Sequence, residues 1–184
     1  TETTKPGWDL TSVQCTVNNV PVDATIVGGN SVTISGLTTA SNKLFCTFTN
    51  TEQGASVQVG KRWVVNGTEY IHADRPTGLN ASLTLTGPGS VGATAQDWGT
   101  PRTGFAKNAT STINETTSIS AAMPGCSLIS SRVTKVNGTS ANATLPYVAT
   151  LSQDENSYEI TNVVSCNSQL TLNKAVTNGT AAPS

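Results

Sequence analysis

Two lysines sit in the middle of apolar stripes. Side chains alternate along a strand, so in the segment from Val57 the residues Val57, Val59, Lys61, Trp63 and Val65 share one face. Leu170, Leu172, Lys174 and Val176 repeat the arrangement. Asparagine takes the matching place in two other segments: Tyr158, Ile160, Asn162 and Val164 lie together, as do Leu44, Cys46, Phe48 and Asn50. Ile113, Glu115, Thr117 and Ile119 turn a carboxylate inward as well. A buried ammonium without a partner is costly, so an inward lysine needs an acid beside it or gives up its proton. Desolvation lowers the lysine pKa and makes the amine a nucleophile. A neighbouring buried Glu, itself held protonated, can polarise an Asn side-chain carbonyl and shuttle protons. Attack of the amine there would release ammonia and leave a Lys–Asn isopeptide bond, a permanent tie between first and last strands.

The elements that would position these groups recur along the chain. TETTKPGW (Thr1 to Trp8) is echoed by NETTSISAAMPGC (Asn114 to Cys126), and FTNT ending at Thr51 by ITNV ending at Val163. After these come VQVGKRWVVNGT from Val57 and LTLNKAVTNGT from Leu170. Glu2 to Glu115 is 113 residues, Asn50 to Asn162 is 112, and Lys61 to Lys174 is 113. Three markers at one period indicate a tandem repeat of about 112 residues. The expected division is 1–53 as the C-terminal part of one repeat, 54–167 as a complete repeat, and 168–184 as the opening strand of the next. Long arrays are built this way; solitary enzymes are not.

The four cysteines, Cys15, Cys46, Cys126 and Cys166, lack the close spacing of zinc ligands. Cys46 precedes its Asn by four residues while Cys166 follows its Asn by four. Antiparallel pairing reconciles this, because facing residues keep a constant sum of positions. Superposing the two repeats puts Cys15–Cys46 and Cys126–Cys166 across the same two strands at different heights, with a one-residue bulge or alignment slip left over. Two disulfides imply an oxidising compartment; four buried thiols are the alternative.

Composition excludes several classes. Charged residues make up 11% of the 184, against about a quarter in typical domains, and net charge is −1. No basic stripe suits nucleic acid. No stretch approaches a membrane span, and Thr, Ser, Asn, Val and Gly favour strands and turns. No cofactor is expected.

The order of an inward Lys in an LxLxK opening strand, an ETxxPGW-like box and a final FTN strand resembles the SpaA/Cna-B type prealbumin-like repeats of Gram-positive surface adhesins and pilins. TETTKPGW, LFCTFTNT and LTLNKAVTNG are most similar to the actinobacterial version with paired cysteines. The resemblance implies an isopeptide between Lys61 and Asn162 assisted by Glu115, with Glu2, Asn50 and Lys174 as the corresponding members of neighbouring repeats. Two departures stand out. Nine residues separate Glu115 from Pro124 against four between Glu2 and Pro6, and Cys126 takes the aromatic position. The alternative is an ordinary buried Lys–Glu pair with the Asn hydrogen-bonded nearby.

The expected fold is all-β: tandem immunoglobulin-like or prealbumin-like sandwiches. The expected role is a stalk or fibre segment of a secreted cell-surface adhesin or pilus-like filament, with neighbouring repeats as its partners. The first fragment holds Glu2 and Asn50 without a Lys corresponding to Lys61, and the tail holds Lys174 without partners. Either the piece is cut from a longer array, or the tail strand of one copy completes the head of the next to give a homopolymer. Excision explains the missing intervening strands more simply.

The rival function is an adhesive module binding a surface ligand through residues 87–112, where an exposed Trp98 or Phe105 would favour binding and a loop-pinning role would not. Seven sequons occur, at Asn66, Asn80, Asn108, Asn114, Asn137, Asn142 and Asn178; Asn66-Gly67 and Asn137-Gly138 also read as hairpin turns. His72, Asp74 and Asp97 suggest a surface loop more than a metal site, and no nucleophile elbow is present. Apart from self-cross-linking, no enzymatic activity is expected.

Overall fold

The structure is a computed structural model that describes residues 2–3, 5–37, 43–88 and 91–167. Lys174 and the rest of 168–184 lie outside the described residues. The described chain is strand and turn. Before Gln53 come β1 (Trp8–Val17), β2 (Val20–Val22), β3 (Ala24–Val27), β4 (Ser31–Ile34) and β5 (Leu44–Glu52). After it come β6 (Gly54–Val65), β7 (Thr68–Ile71), β8 (Leu79–Thr86), β9 (Ala93–Gln96), β10 (Arg102–Ala106), β11 (Thr110–Ile119), β12 (Cys126–Val136), β13 (Thr139–Thr144), β14 (Tyr147–Thr150) and β15 (Glu155–Cys166).

From Gly54 onward two sheets share one core. The larger has the order β10-β6-β15-β12-β13 with β7 also on β6; the smaller has the order β14-β11-β8-β9. Their inner faces follow from alternation. Val57, Val59, Lys61 and Trp63 of β6 are buried, as are Tyr158, Ile160, Asn162 and Val164 of β15. Leu83 and Leu85 of β8, Ile113 of β11 and Ala149 of β14 meet them from the other sheet. Fully burying each such aliphatic side chain contributes about 1.5–3 kcal/mol, which is what holds the sheets face to face. This is an all-β sandwich.

One pairing sets the first and last strands of 54–167 side by side. β6 and β15 lie side by side in parallel, from Glu155↔Ser56 to Val164↔Val65. Parallel neighbours need a crossover rather than a hairpin, and here nearly the whole unit is that crossover. The remaining ladders are antiparallel. In β12–β15, Cys126 faces Cys166 and the two are disulfide-bonded.

Before Gln53, β5 pairs with β1 antiparallel and β2 lies beyond β1. Cys15 faces Cys46 and is bonded to it, and a register shift falls between Leu10 and Ser12. The two PG boxes share one turn geometry: Gly7 and Gly125 both have φ near +81°. Gly7 is also confined by space, since a Cβ there would lie 3.0 Å from the Lys107 carbonyl oxygen. Gln53 stitches the junction: its N–H donates to Gly7 O at 2.7 Å, and its carbonyl accepts from the Lys107 N–H at 2.8 Å. Asn66-Gly67 and Asn137-Gly138 form the β6–β7 and β12–β13 turns, with positive φ at all four residues. That is the backbone twist tight hairpins favour.

Candidate functional site

Lys61, Glu115 and Asn162 come together between the two sheets, each delivered by the inward phase of its strand. The Lys61 ammonium lies 2.7 Å from Glu115 Oε2, and the two side chains are 0% and 2% exposed. Glu115 Oε1 accepts from Thr117 Oγ1 at 3.2 Å and, over a short contact, from Ser131 Oγ. Asn162 donates its Nδ2–H to Thr117 Oγ1 at 2.9 Å. Thr117 thus bridges acid and amide. Asn162 is fully buried, and its Oδ1 is the one buried side-chain polar atom among the described residues with no hydrogen-bond partner. Leaving such an atom unsatisfied costs about 1–3 kcal/mol.

Two tryptophans wall the amine. Lys61 Nζ is 4.9 Å from the Trp63 ring centroid and 5.4 Å from that of Trp98. Burial lowers the Lys61 pKa to about 8, against the opposing pull of the Glu115 charge and its hydrogen bond. A larger share of this amine is therefore neutral near pH 7 than of an ordinary lysine. His72, expected on a surface loop, is instead half-buried beside the site. It stacks with Trp63 and tilts against Trp98, and its Nδ1 accepts from Trp63 Nε1 at 3.3 Å. Desolvation, then the charges of Arg75 and Lys61, push the His72 pKa down despite Glu115. That keeps the imidazole neutral, as an accepting Nδ1 requires.

Sequence reasoning did not place Ser131, His72 or Trp98 here. Ser131 was within reach: the Cys126–Cys166 register brings its neighbour Ser130 opposite Asn162, and the register shift between Leu128 and Ser130 moves the pairing to Ser131. Trp98 follows β9 with no periodic signal; its Nε1 donates to the Ala81 carbonyl at 2.9 Å. Segment 87–112 carries β9 and β10 from one sheet to the other. Its aromatics are not free: Phe105 is in the core, and Trp98 is pinned over Lys61. Asp74 and Asp97 are exposed, and among the described residues no three His, Cys, Asp or Glu side chains gather as metal ligands.

In the first unit Asn50 Nδ2 donates to Glu2 Oε1 at 2.8 Å. Here the amide meets the acid directly, whereas Asn162 reaches Glu115 through Thr117.

Residues 1–52 match the family profile of a prealbumin-like fold domain of the SpaA type. Among solved structures the chain is similar to the major pilin protein (T3.2) from Streptococcus pyogenes serotype GAS13637, at 17% sequence identity and a TM-score of 0.42. That match covers 91% of this chain and 65% of the pilin. No curated protein matches the sequence.

Proposed function

We propose that this chain is a load-bearing segment of a secreted cell-surface stalk or pilus-like fibre, tied internally by its disulfides and by a Lys61–Asn162 isopeptide bond. The observation that carries the reading is where the chain enters and leaves the unit 54–167. It enters at Gly54 on β6 and leaves at Cys166 on β15, at opposite ends of two adjacent parallel strands. Tension along the chain therefore shears that ladder, loading all its hydrogen bonds together rather than unzipping them singly. The prealbumin-like profile at residues 1–52 supports the same assignment.

The buried trio would make the shear joint permanent. Neutral Lys61 Nζ attacks Cγ of Asn162; the new C–N bond replaces the C–Nδ2 bond. Glu115 takes the proton from the attacking nitrogen and returns one to the departing nitrogen, so ammonia leaves and no oxidant is needed. Thr117 and Ser131 hold the carboxylate in place. The exclusion of water from the pocket favours the condensation over hydrolysis.

Lys61→Ala and Asn162→Ala chains should run more slowly than wild type on a denaturing gel under reducing conditions, because an internal loop compacts the denatured chain. Identical migration removes the cross-link. Immunogold labelling of intact producing cells with antibodies to residues 54–167 should decorate extended surface structures. Label confined to the cell interior would overturn the stalk assignment.

A further inference from the structure

The Lys61–Asn162 condensation needs a proton at an atom that Glu115 does not touch. Attack of Lys61 Nζ on Cγ turns Asn162 Nδ2 into a pyramidal amine. Unless that nitrogen is protonated it is a poor leaving group, and the adduct falls back to free lysine and amide. Glu115 Oε2 is taken by Lys61 at 2.7 Å, and Oε1 by the hydroxyls of Thr117 and Ser131. The fully buried Asn162 amide makes its hydrogen bond to Thr117 Oγ1, 2.9 Å from Nδ2. Thr117 Oγ1 lies 3.2 Å from Glu115 Oε1. A hydroxyl, donor and acceptor at once, therefore stands between the acid and the leaving nitrogen.

Strand phase puts it there. Thr117 follows Glu115 by two residues on β11, so both turn to the inner face of the smaller sheet. Asn162 arrives from β15 in the larger sheet, and Thr117 spans the gap to its amide. A branched Cβ restricts χ1 and so holds the hydroxyl on this line. Ser131 of β12 meets the same carboxylate oxygen but makes no hydrogen bond to the Asn162 amide.

Resting on the cross-link read above, we propose that Thr117 is a catalytic residue of its formation: the hydroxyl relays the proton from Glu115 to the departing nitrogen of Asn162. In the neutral pair Nζ carries two hydrogens and Glu115 Oε1 carries the acid proton. The Nζ–Cγ bond forms first. Nζ then gives one hydrogen to Oε2, Oε1 gives its proton to Thr117 Oγ1, and Oγ1 passes its own to Nδ2. The Cγ–Nδ2 bond breaks, ammonia leaves, and Oδ1 returns to a carbonyl. Glu115 ends protonated on its other oxygen and Thr117 is unchanged, so no oxidant or outside base takes part. At rest the hydrogen bonds run from Nδ2 through Thr117 to Glu115. Once Nδ2 has a lone pair, the same three atoms carry the proton the other way. Neither group suffices alone, since the hydroxyl is too weak an acid and the carboxyl is one hydroxyl too far away.

The test is the rate of ammonia loss from the newly made 184-residue chain. The chain is pulse-labelled during cell-free synthesis under oxidising conditions, quenched at intervals, reduced and weighed by intact mass. Thr117→Val keeps the shape without the hydroxyl and should slow the loss by about a hundredfold or more, the usual share of a proton-transfer group. Thr117→Ser should restore most of the wild-type rate, and Ser131→Ala should slow it far less than Thr117→Val. Formation of the Cys126–Cys166 bond and resistance to protease show that each variant has folded. A second measurement needs no variant: the wild-type rate in mixtures of H2O and D2O should fall along a curve, because more than one proton is in flight. Thr117→Val as fast as wild type, Thr117→Ser as slow as Thr117→Val, or a straight or absent D2O dependence overturns the relay and leaves the cross-link standing. A wild type that never loses ammonia overturns both, so the two failures are told apart.

Discussion

Lys61→Ala should change how far the chain extends under tension, and the connectivity gives the lengths. With a Lys61–Asn162 bond, load runs from Gly54 to residue 61, across to 162, and out at 166. That path holds only about a dozen residues, already taut along the β6–β15 ladder, so the unit should gain almost no length. Without the bond, load runs from 54 to Cys126 and across the disulfide to Cys166. About 72 residues at roughly 3.5 Å each, less the folded span of about 40 Å, release about 210 Å. Reducing the disulfide as well frees the whole unit, releasing about 350 Å on the same arithmetic. The assay is single-molecule stretching of the full chain between end handles, with and without reductant. The segment before Gly54 adds its own extension equally to every variant. Wild type should show no step from the second unit in either condition, and Lys61→Ala should show the 210 Å and 350 Å steps. A wild type that gives the same steps as Lys61→Ala refutes the cross-link and leaves Lys61 as an ion-pair residue.

Three further outcomes follow from the site. In Asn162→Ala the amine stays free, with its pKa near 8 folded against 10.5 unfolded. The unfolded state then holds more protons between those values, so stability should climb by about 3 kcal/mol from pH 8 to 10.5. Urea titrations should show that climb vanish when Lys61→Met is added. Glu115→Gln strands a buried ammonium and should both abolish bond formation, read by mass, and cost about 3–5 kcal/mol in urea unfolding. Replacing Cys126 and Cys166 together by Ser removes a closure of 40 residues. That should cost about 4 kcal/mol in Lys61→Ala, and only a few tenths of a kcal/mol less with the isopeptide in place, since the 61–162 tie shortens the path between the two cysteines to an effective length of about 27 residues; thermal melts of the two backgrounds check both values.

Much of the fold was legible because strand alternation is a local signal. It set the inner faces of β6, β11 and β15, and with them the three polar residues that interrupt the apolar stripes. Turn chemistry was equally local: the hairpins at Asn66-Gly67 and Asn137-Gly138 need positive φ, and the residues present tolerate it. What could not be read was which strands become neighbours. Nothing in the period of β6 or β15 says that they pair in parallel, and that adjacency creates the shear geometry. The wall of Trp98 and His72 around Lys61 was hidden for the same reason, since both residues come from non-periodic segments brought in by long-range packing. The link through Thr117 depends on side-chain rotamers, which spacing does not encode.

The central claim is a covalent tie between Lys61 and Asn162, and intact mass of the purified chain tests it most directly. The account predicts a deficit of one ammonia that survives full reduction, mapped by digestion to a peptide pair joined through Lys61 and Asn162. A reduced mass equal to that of the unmodified sequence, with the two peptides recovered separately, would contradict it.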